Sequence, residues 1–263
     1  MKVTTPHFKK TKVHHEHFLS WSIVLIFSVL LVGNWIFNIF DITFFIYSTI
    51  LYVILGLGTY IATRASLIIG TDNFAGKSLS SFGIMFASFT FSSLLNDYAI
   101  FFFEESAIIL LMSYAFWIFG ALFAILGLDH ILHTLKHTYE SKHSYASILL
   151  FLSVFICSLF FVGVPDFTQA SLSIVIADVC MLITYTAIIT TAIITLAVAK
   201  RDMSLRYIYP IATGLLSLTL SYIIAIYSGA MANIFLLAGI LLLLLGVYAI
   251  QTHFETKRSD RMY

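Results

Sequence analysis

All fourteen Lys and Arg residues lie in alternate gaps between long hydrophobic stretches, and none lies in the remaining gaps. Cations flanking membrane spans stay on the cytoplasmic side, so complete segregation predicts a multi-span membrane chain with both ends in the cytoplasm. Crossing about 30 Å of hydrocarbon takes about 20 helical residues. Eight stretches meet that length: Phe18–Phe40, Thr43–Thr63, Ser78–Leu95, Ala107–Leu128, Ala146–Val164, Ser171–Ala199, Tyr207–Tyr227 and Ala230–Thr252. The third is the weakest, with Ser80, Ser81, Ser88, Ser92 and Ser93 along it, and removing it would put the charges out of phase.

The cytoplasmic gaps hold Lys2, Lys9, Lys10 and Lys12; Arg64 and Lys77; Lys136 and Lys142; Lys200, Arg201 and Arg206; and Lys257, Arg258 and Arg261. The opposite gaps hold only acids, Asp41, Asp97, Glu104, Glu105 and Asp166. Short outer turns and longer inner ones predict an all-α integral membrane fold of eight transmembrane helices arranged as four helical hairpins. The expected division is a basic, histidine-rich segment over 1–17, a membrane domain over 18–252 and a cytoplasmic tail over 253–263. The hairpins read as weak repeats of equal orientation. Ala107 precedes Tyr114 by seven residues, with Trp117, Gly120 and Ala121 following; Asp178 precedes Tyr185 by seven, with Ala187 and Thr191 following. Repeats of that kind are related by an axis along the membrane normal.

Composition narrows the function classes. Only 10% of residues are charged and 60% are hydrophobic, against roughly a quarter charged in soluble domains. A net charge of +1 spread over five segments predicts no nucleic-acid partner, since a polyanion needs a concentrated basic surface. The expected partners are lipid, other membrane proteins or a second copy of the chain. Cys157 and Cys180 both sit inside apolar segments, so no CxxC pair exists. The first apolar run is too long for the core of a cleavable leader and reads as a retained anchor. No Lys or His lies within a predicted span, which excludes a retinal Schiff base and a buried bis-histidine haem. There is no glycine-rich phosphate loop, HExxH or GxSxG.

Asp178 reads as the one ionisable acid inside an apolar span, which marks it as a candidate site. Counting back from Lys200 places it about 33 Å from the inner boundary at 1.5 Å per residue, at the outer interface. The plainer reading there is an acid that reaches water and tethers a turn. The functional reading is a proton, cation or ligand anchor shared with Tyr185 one heptad deeper and with Asn34 or Asn96 from neighbouring helices. All nine histidines fall on the predicted cytoplasmic side. If the fourth helix continues past Leu128, His130, His133 and His137 share one face with Glu140 next in line. His133 and His137 at i and i+4 could clamp a transition metal, with His14, His15 and His17 supplying further ligands. Solvated interfacial histidines are the plainer reading. Thr184, Thr191 and Thr195 with Ala177 and Ala187 predict a packing seam, its hydroxyls able to bond across helices. Gly56 with Gly58 and Gly239 with Gly246 predict helix contacts, and Pro210 a helix start.

The stretch GKSLSSFGIMFASFTFSSLL, followed by NDYAIFFFEES and AIILLMSYAFWIFGALF, resembles multi-span regions of prokaryotic, especially archaeal, membrane proteins, including sensor modules placed before histidine kinases or cyclases. IADVCMLITY has the same character. No output domain is expected after the last predicted span, a departure from that architecture. In placement alone the histidines are similar to those of membrane-embedded fatty-acid desaturases and hydroxylases, but no HxxHH box is present. The expected function is therefore non-catalytic: a sensor-like or accessory subunit of a prokaryotic plasma membrane that binds a lipid, a small apolar ligand or a membrane partner, with no cofactor. The rivals are a metal-dependent membrane enzyme using the cytoplasmic-face histidines and a proton-coupled transporter using Asp178.

Overall fold

The computed structural model describes residues 42–102, 107–135, 150–156, 172–201, 208–225 and 229–259. These form seven helical segments: α1 (Ile42–Ile69), α2 (Phe74–Phe102), α3 (Ala107–Leu135), α4 (150–156), α5 (Leu172–Arg201), α6 (Tyr209–Ala225) and α7 (Gly229–Ser259). Five of them, α1, α2, α3, α5 and α7, are long and apolar enough to cross a membrane. The expectation of eight membrane-spanning helices paired as four hairpins is therefore corrected. At 1.5 Å per residue the 17 residues of α6 rise about 26 Å, short of the ~30 Å hydrocarbon thickness. The expected first span, Phe18–Phe40, and most of the fifth, Ala146–Val164, lie outside the described residues, as do both termini.

The pairing differs as well. Each long helix packs on the next around a closed ring, α1 on α2, α2 on α3, α3 on α5, α5 on α6, α6 on α7, and α7 back on α1. The ring divides into two three-helix units of the same order, α1–α3 and α5–α7. The middle and last helices of each unit, α2 with α3 and α6 with α7, make its most extensive contacts. The units meet at α3 with α5 and α7 with α1, which run parallel. Every helix of the ring therefore serves two neighbours, and the fold is not a set of separate hairpins.

Local chemistry sets the helix ends. Gly70 has φ +99°, the left-handed conformation that only glycine adopts without penalty, and its N–H donates to the Ser66 carbonyl at 2.9 Å, closing α1. Three residues on, the Asn73 side-chain oxygen accepts from the Gly76 N–H at 2.7 Å and so caps the start of α2. A Cβ on Gly76 would lie within 2.0 Å of the Gly70 carbonyl oxygen, so this four-residue turn closes only with glycine there. Pro210 stands in the first turn of α6, as its missing donor requires.

In lipid there is no hydrophobic drive between helices, so close packing and hydrogen bonds must hold them. α2 is the most buried of the five long spans, although it was the weakest in sequence. Its serines face its neighbours. Ser78 donates to the Gly127 carbonyl of α3 at 2.7 Å, and Ser92 and Ser113 each donate to the other's carbonyl at 2.9 Å. The fully buried rings of Phe82, Phe86 and Phe89 lie over Gly127, Gly58 and Gly120. On the other side of the ring, Gly214 and Gly239 cross so closely that a Cβ on either would meet the other's carbonyl oxygen at 2.8 Å. The predicted glycine contacts at Gly58, Gly239 and Gly246 are helix contacts.

Of the expected seam on α5, Ala177, Thr184 and Thr195 are buried. Thr184, Thr191 and Thr195 each donate back to the carbonyl four residues earlier in α5, at 2.7–2.8 Å, so their hydroxyls bond within the helix and not across a seam. Serine, with no β-branch to hold its rotamer, is the cross-helix donor here, as at Ser217, which donates to Phe235 at 2.8 Å.

The Ser92–Ser113 exchange gives a direct test. A double-mutant cycle of Ser92→Ala and Ser113→Ala, read by denaturant unfolding in micelles, is expected to give a coupling of about 0.6 to 1.7 kcal/mol, the range for intramembrane side-chain bonds. Additive single effects would mean that the two hydroxyls do not share a bond.

Candidate functional site

Helix direction sorts charge to the two ends of the ring. Arg64, Lys77, Lys200, Arg201, Lys257 and Arg258 all stand at one end, near the last turns of α1, α5 and α7 and the first turn of α2. The other end carries two acids on described helices, Asp97 on α2 and Asp178 on α5.

Asp97 belongs to the helix, not to an outer turn. α2 was expected to end at Leu95 and instead runs to Phe102. The phenolic oxygen of the fully buried Tyr52 of α1 donates to Asp97 Oδ2 at 2.6 Å. That short, charge-assisted bond offsets the cost of carrying a carboxylate on the helix. Asp178 is thus not the only acid within an apolar helix. The unbroken apolar run after Asp97, YAIFFF, was the available signal.

Asp178 is partly buried, three residues into the apolar stretch Val175–Ala199. Tyr114 of α3 and Tyr222 of α6 lie close enough to interact electrostatically with it. Two turns deeper on the same helix, Tyr185 is buried and stacks on Tyr222, with ring centroids 4.4 Å apart. Trp117 of α3 lies 6.3 Å from Tyr185 on the other side and 4.2 Å from Phe89 of α2. A row of four rings, Phe89, Trp117, Tyr185 and Tyr222, therefore crosses four helices beneath Asp178. The Trp117 indole is near enough to Tyr185 to interact with it, yet its buried N–H makes no hydrogen bond of acceptable geometry, alone in this among the described buried side-chain polar atoms.

Asp178 and Tyr185 stand two turns apart on α5 and share Tyr222 as a neighbour. Asn96 does not join them: it sits beside Asp97 on α2, and among the described residues it makes no hydrogen bond to Asp178. Asn34 lies outside the described residues. Tyr114, Trp117 and Tyr222, the partners from α3 and α6, were not named as site residues from sequence. The hint for Tyr114 was its place seven residues after Ala107, matching Tyr185 after Asp178.

The histidine reading falls mostly beyond view. α3 does continue past Leu128 to Leu135 and carries His130 and His133, but His14, His15, His17, His137 and Glu140 lie outside the described residues. Among the described residues no group of three or more His, Cys, Asp or Glu could hold a metal ion.

The chain matches no family model, no curated protein and no solved structure. It is a multi-span, all-α membrane protein. No specific family or taxonomic origin follows from its resemblance to prokaryotic sensor modules.

Proposed function

We propose that this protein is a non-catalytic membrane subunit of a plasma membrane, with its cationic end and both termini in the cytoplasm, that binds a lipid or small apolar ligand at the acidic end of the ring. The observation that carries this reading is the Asp178 cluster, where a carboxylate with no cation of the described helices at its end of the bundle sits over aromatic rings drawn from α2, α3, α5 and α6. Carboxylates in apolar helices are costly and mark functional sites by default. Tyr52 is bonded to Asp97, and Ser92 to Ser113, whereas among the described residues no such bond ties down Asp178. Its position near the end of the span, away from the midplane where carriers hold substrate, favours a bound ligand over a transport path. Because α5 joins the two three-helix units through α3 and α6, a ligand there would bias how the units sit on each other, and that is the sensor-like step. Lipid, another membrane protein or a second copy are its partners.

Native mass spectrometry of the purified full chain tests this. The wild type is expected to retain a bound lipid or small molecule, and Tyr185→Ala to lose about tenfold of that occupancy, equivalent to ~1.4 kcal/mol. Equal retention by the variant, or no retained mass in the wild type, would remove the reading.

A further inference from the structure

The two three-helix units match each other residue by residue. Laid over α3 in unbroken register, α7 repeats Met112, Phe116, Gly120, Leu122, Leu126 and Gly127 as Met231, Phe235, Gly239, Leu241, Leu245 and Gly246. Laid over α2 in the same way, α6 repeats Ser88, Thr90 and Ser92 as Ser217, Thr219 and Ser221. A shared apolar composition matches leucines by itself, but it does not bring two glycines and three hydroxyls into register.

The packing repeats along with the residues. A Cβ on Gly127 would meet the Phe82 ring, and one on Gly246 would meet Ile211, which holds the register of Phe82 in α6. Likewise a Cβ on Gly120 would meet Phe89, and one on Gly239 would meet its counterpart Leu218. The same positions thus supply the close approach that small residues permit between helices in lipid. Thr90 and Thr219 are both buried, and each donates to the carbonyl four residues earlier, that of Phe86 or of Leu215. The first helices agree in burial: Ala62 and Ala192 are wholly buried, and Val53 and Ile183 are exposed, in one register of α1 and α5.

Ring closure fixes how the units are related. α3 packs on α5 and α7 packs on α1, so the last helix of each unit lies on the first helix of the other. Two like units that meet through the same surfaces in both directions are related by a twofold axis, and their interface is self-complementary. The helices that meet run parallel, so the axis lies along the membrane normal.

We propose that α1–α3 and α5–α7 are two copies of one module, and that the surface formed by its first and last helices fits a second copy of that module, here supplied by the same chain. This goes beyond the ligand-binding reading and does not depend on it. The copies have diverged unevenly. Around Gly127 and Gly246, toward the cationic end, their cores correspond; toward the acidic end Tyr52, Ser113 and Trp117 of the first copy stand against Leu182, Ala232 and Leu236 of the second. One end of the bundle keeps the twofold, and the other has lost it in its polar and aromatic side chains.

Pulsed dipolar EPR on the full chain in nanodiscs tests it. Cys157 and Cys180 are replaced by serine, and spin labels are attached in pairs at Phe91, Leu122, Leu220 and Leu241, all exposed, so the core stays intact. A twofold axis exchanges Phe91 with Leu220 and Leu122 with Leu241. Within the units, Phe91→Cys with Leu122→Cys is therefore expected to give the same mean distance as Leu220→Cys with Leu241→Cys. Across the units, Phe91→Cys with Leu241→Cys is expected to match Leu220→Cys with Leu122→Cys. Within-unit distances that differ by more than the width of their distributions would overturn the shared module. Equal distances within the units but unequal ones across them would overturn the self-complementary interface.

Discussion

Gly239→Ala is expected to destabilise the protein by roughly 3 kcal/mol, the upper range for overpacking a close contact, measured as a shift in the denaturant midpoint in micelles with the slope unchanged. The added methyl would lie 2.8 Å from the Gly214 carbonyl oxygen and 2.9 Å from the Leu218 nitrogen, both backbone atoms that cannot rotate aside. α6 and α7 must separate for it to fit. Separation also lengthens the 2.8 Å bond from Ser217 to the Phe235 carbonyl, which depends on the same close approach. Alanine has the better helix propensity by about 1 kcal/mol, so a loss despite that gain identifies the crossing as the cause. Stability equal to or above wild type would mean that the helices do not cross at these glycines. Gly214→Ala should behave alike, because its Cβ meets the Gly239 carbonyl in the mirror arrangement.

Tyr52→Phe is expected to cost about 1.5 to 3 kcal/mol, the range for a hydrogen bond to a charged group. Phenylalanine keeps the shape of the buried ring and removes only the donor that reaches Asp97 at 2.6 Å. The carboxylate then remains between α1 and α2 without that partner, and the penalty is the desolvation of the group left behind. Asp97→Asn keeps an acceptor for the phenol and should cost less than Tyr52→Phe. Combining Tyr52→Phe with Asp97→Leu should recover part of the loss, because removing both polar partners leaves nothing unpaired. If Tyr52→Phe melts within error of wild type, water reaches Asp97 and the bond is dispensable.

Much of the helical layout was legible in the sequence, and the errors have physical causes. The third stretch reads as weak because hydropathy counts Ser81, Ser88 and Ser92 as polar, yet the structure buries all three with their hydroxyls bonded. A bonded serine in lipid is a packing residue, and α2 consequently became the most buried of the long spans instead of the most doubtful one. The end of α2 is not legible because an acid marks the edge of the membrane in a sequence pattern; Tyr52, forty-five residues earlier, makes the acid tolerable, and no local pattern reports so distant a partner. Asp178 and Tyr185 were legible as a pair on one helix face from their spacing. Their neighbours Tyr114, Trp117 and Tyr222 were not, since each comes from another helix.

Composition and apolar run length determined by themselves that this chain is a multi-span helical membrane protein, and the placing of its cations which way the described helices run relative to one another. Those properties depend on each segment's own encounter with lipid and water. Which helices touch was decided only in three dimensions, because a leucine facing lipid and a leucine facing another helix have the same hydropathy. Ring closure through α1 and α7, the glycine crossing of α6 with α7, and the placing of Asp178 among rings from four helices all rest on atom-scale fit between segments far apart in the chain.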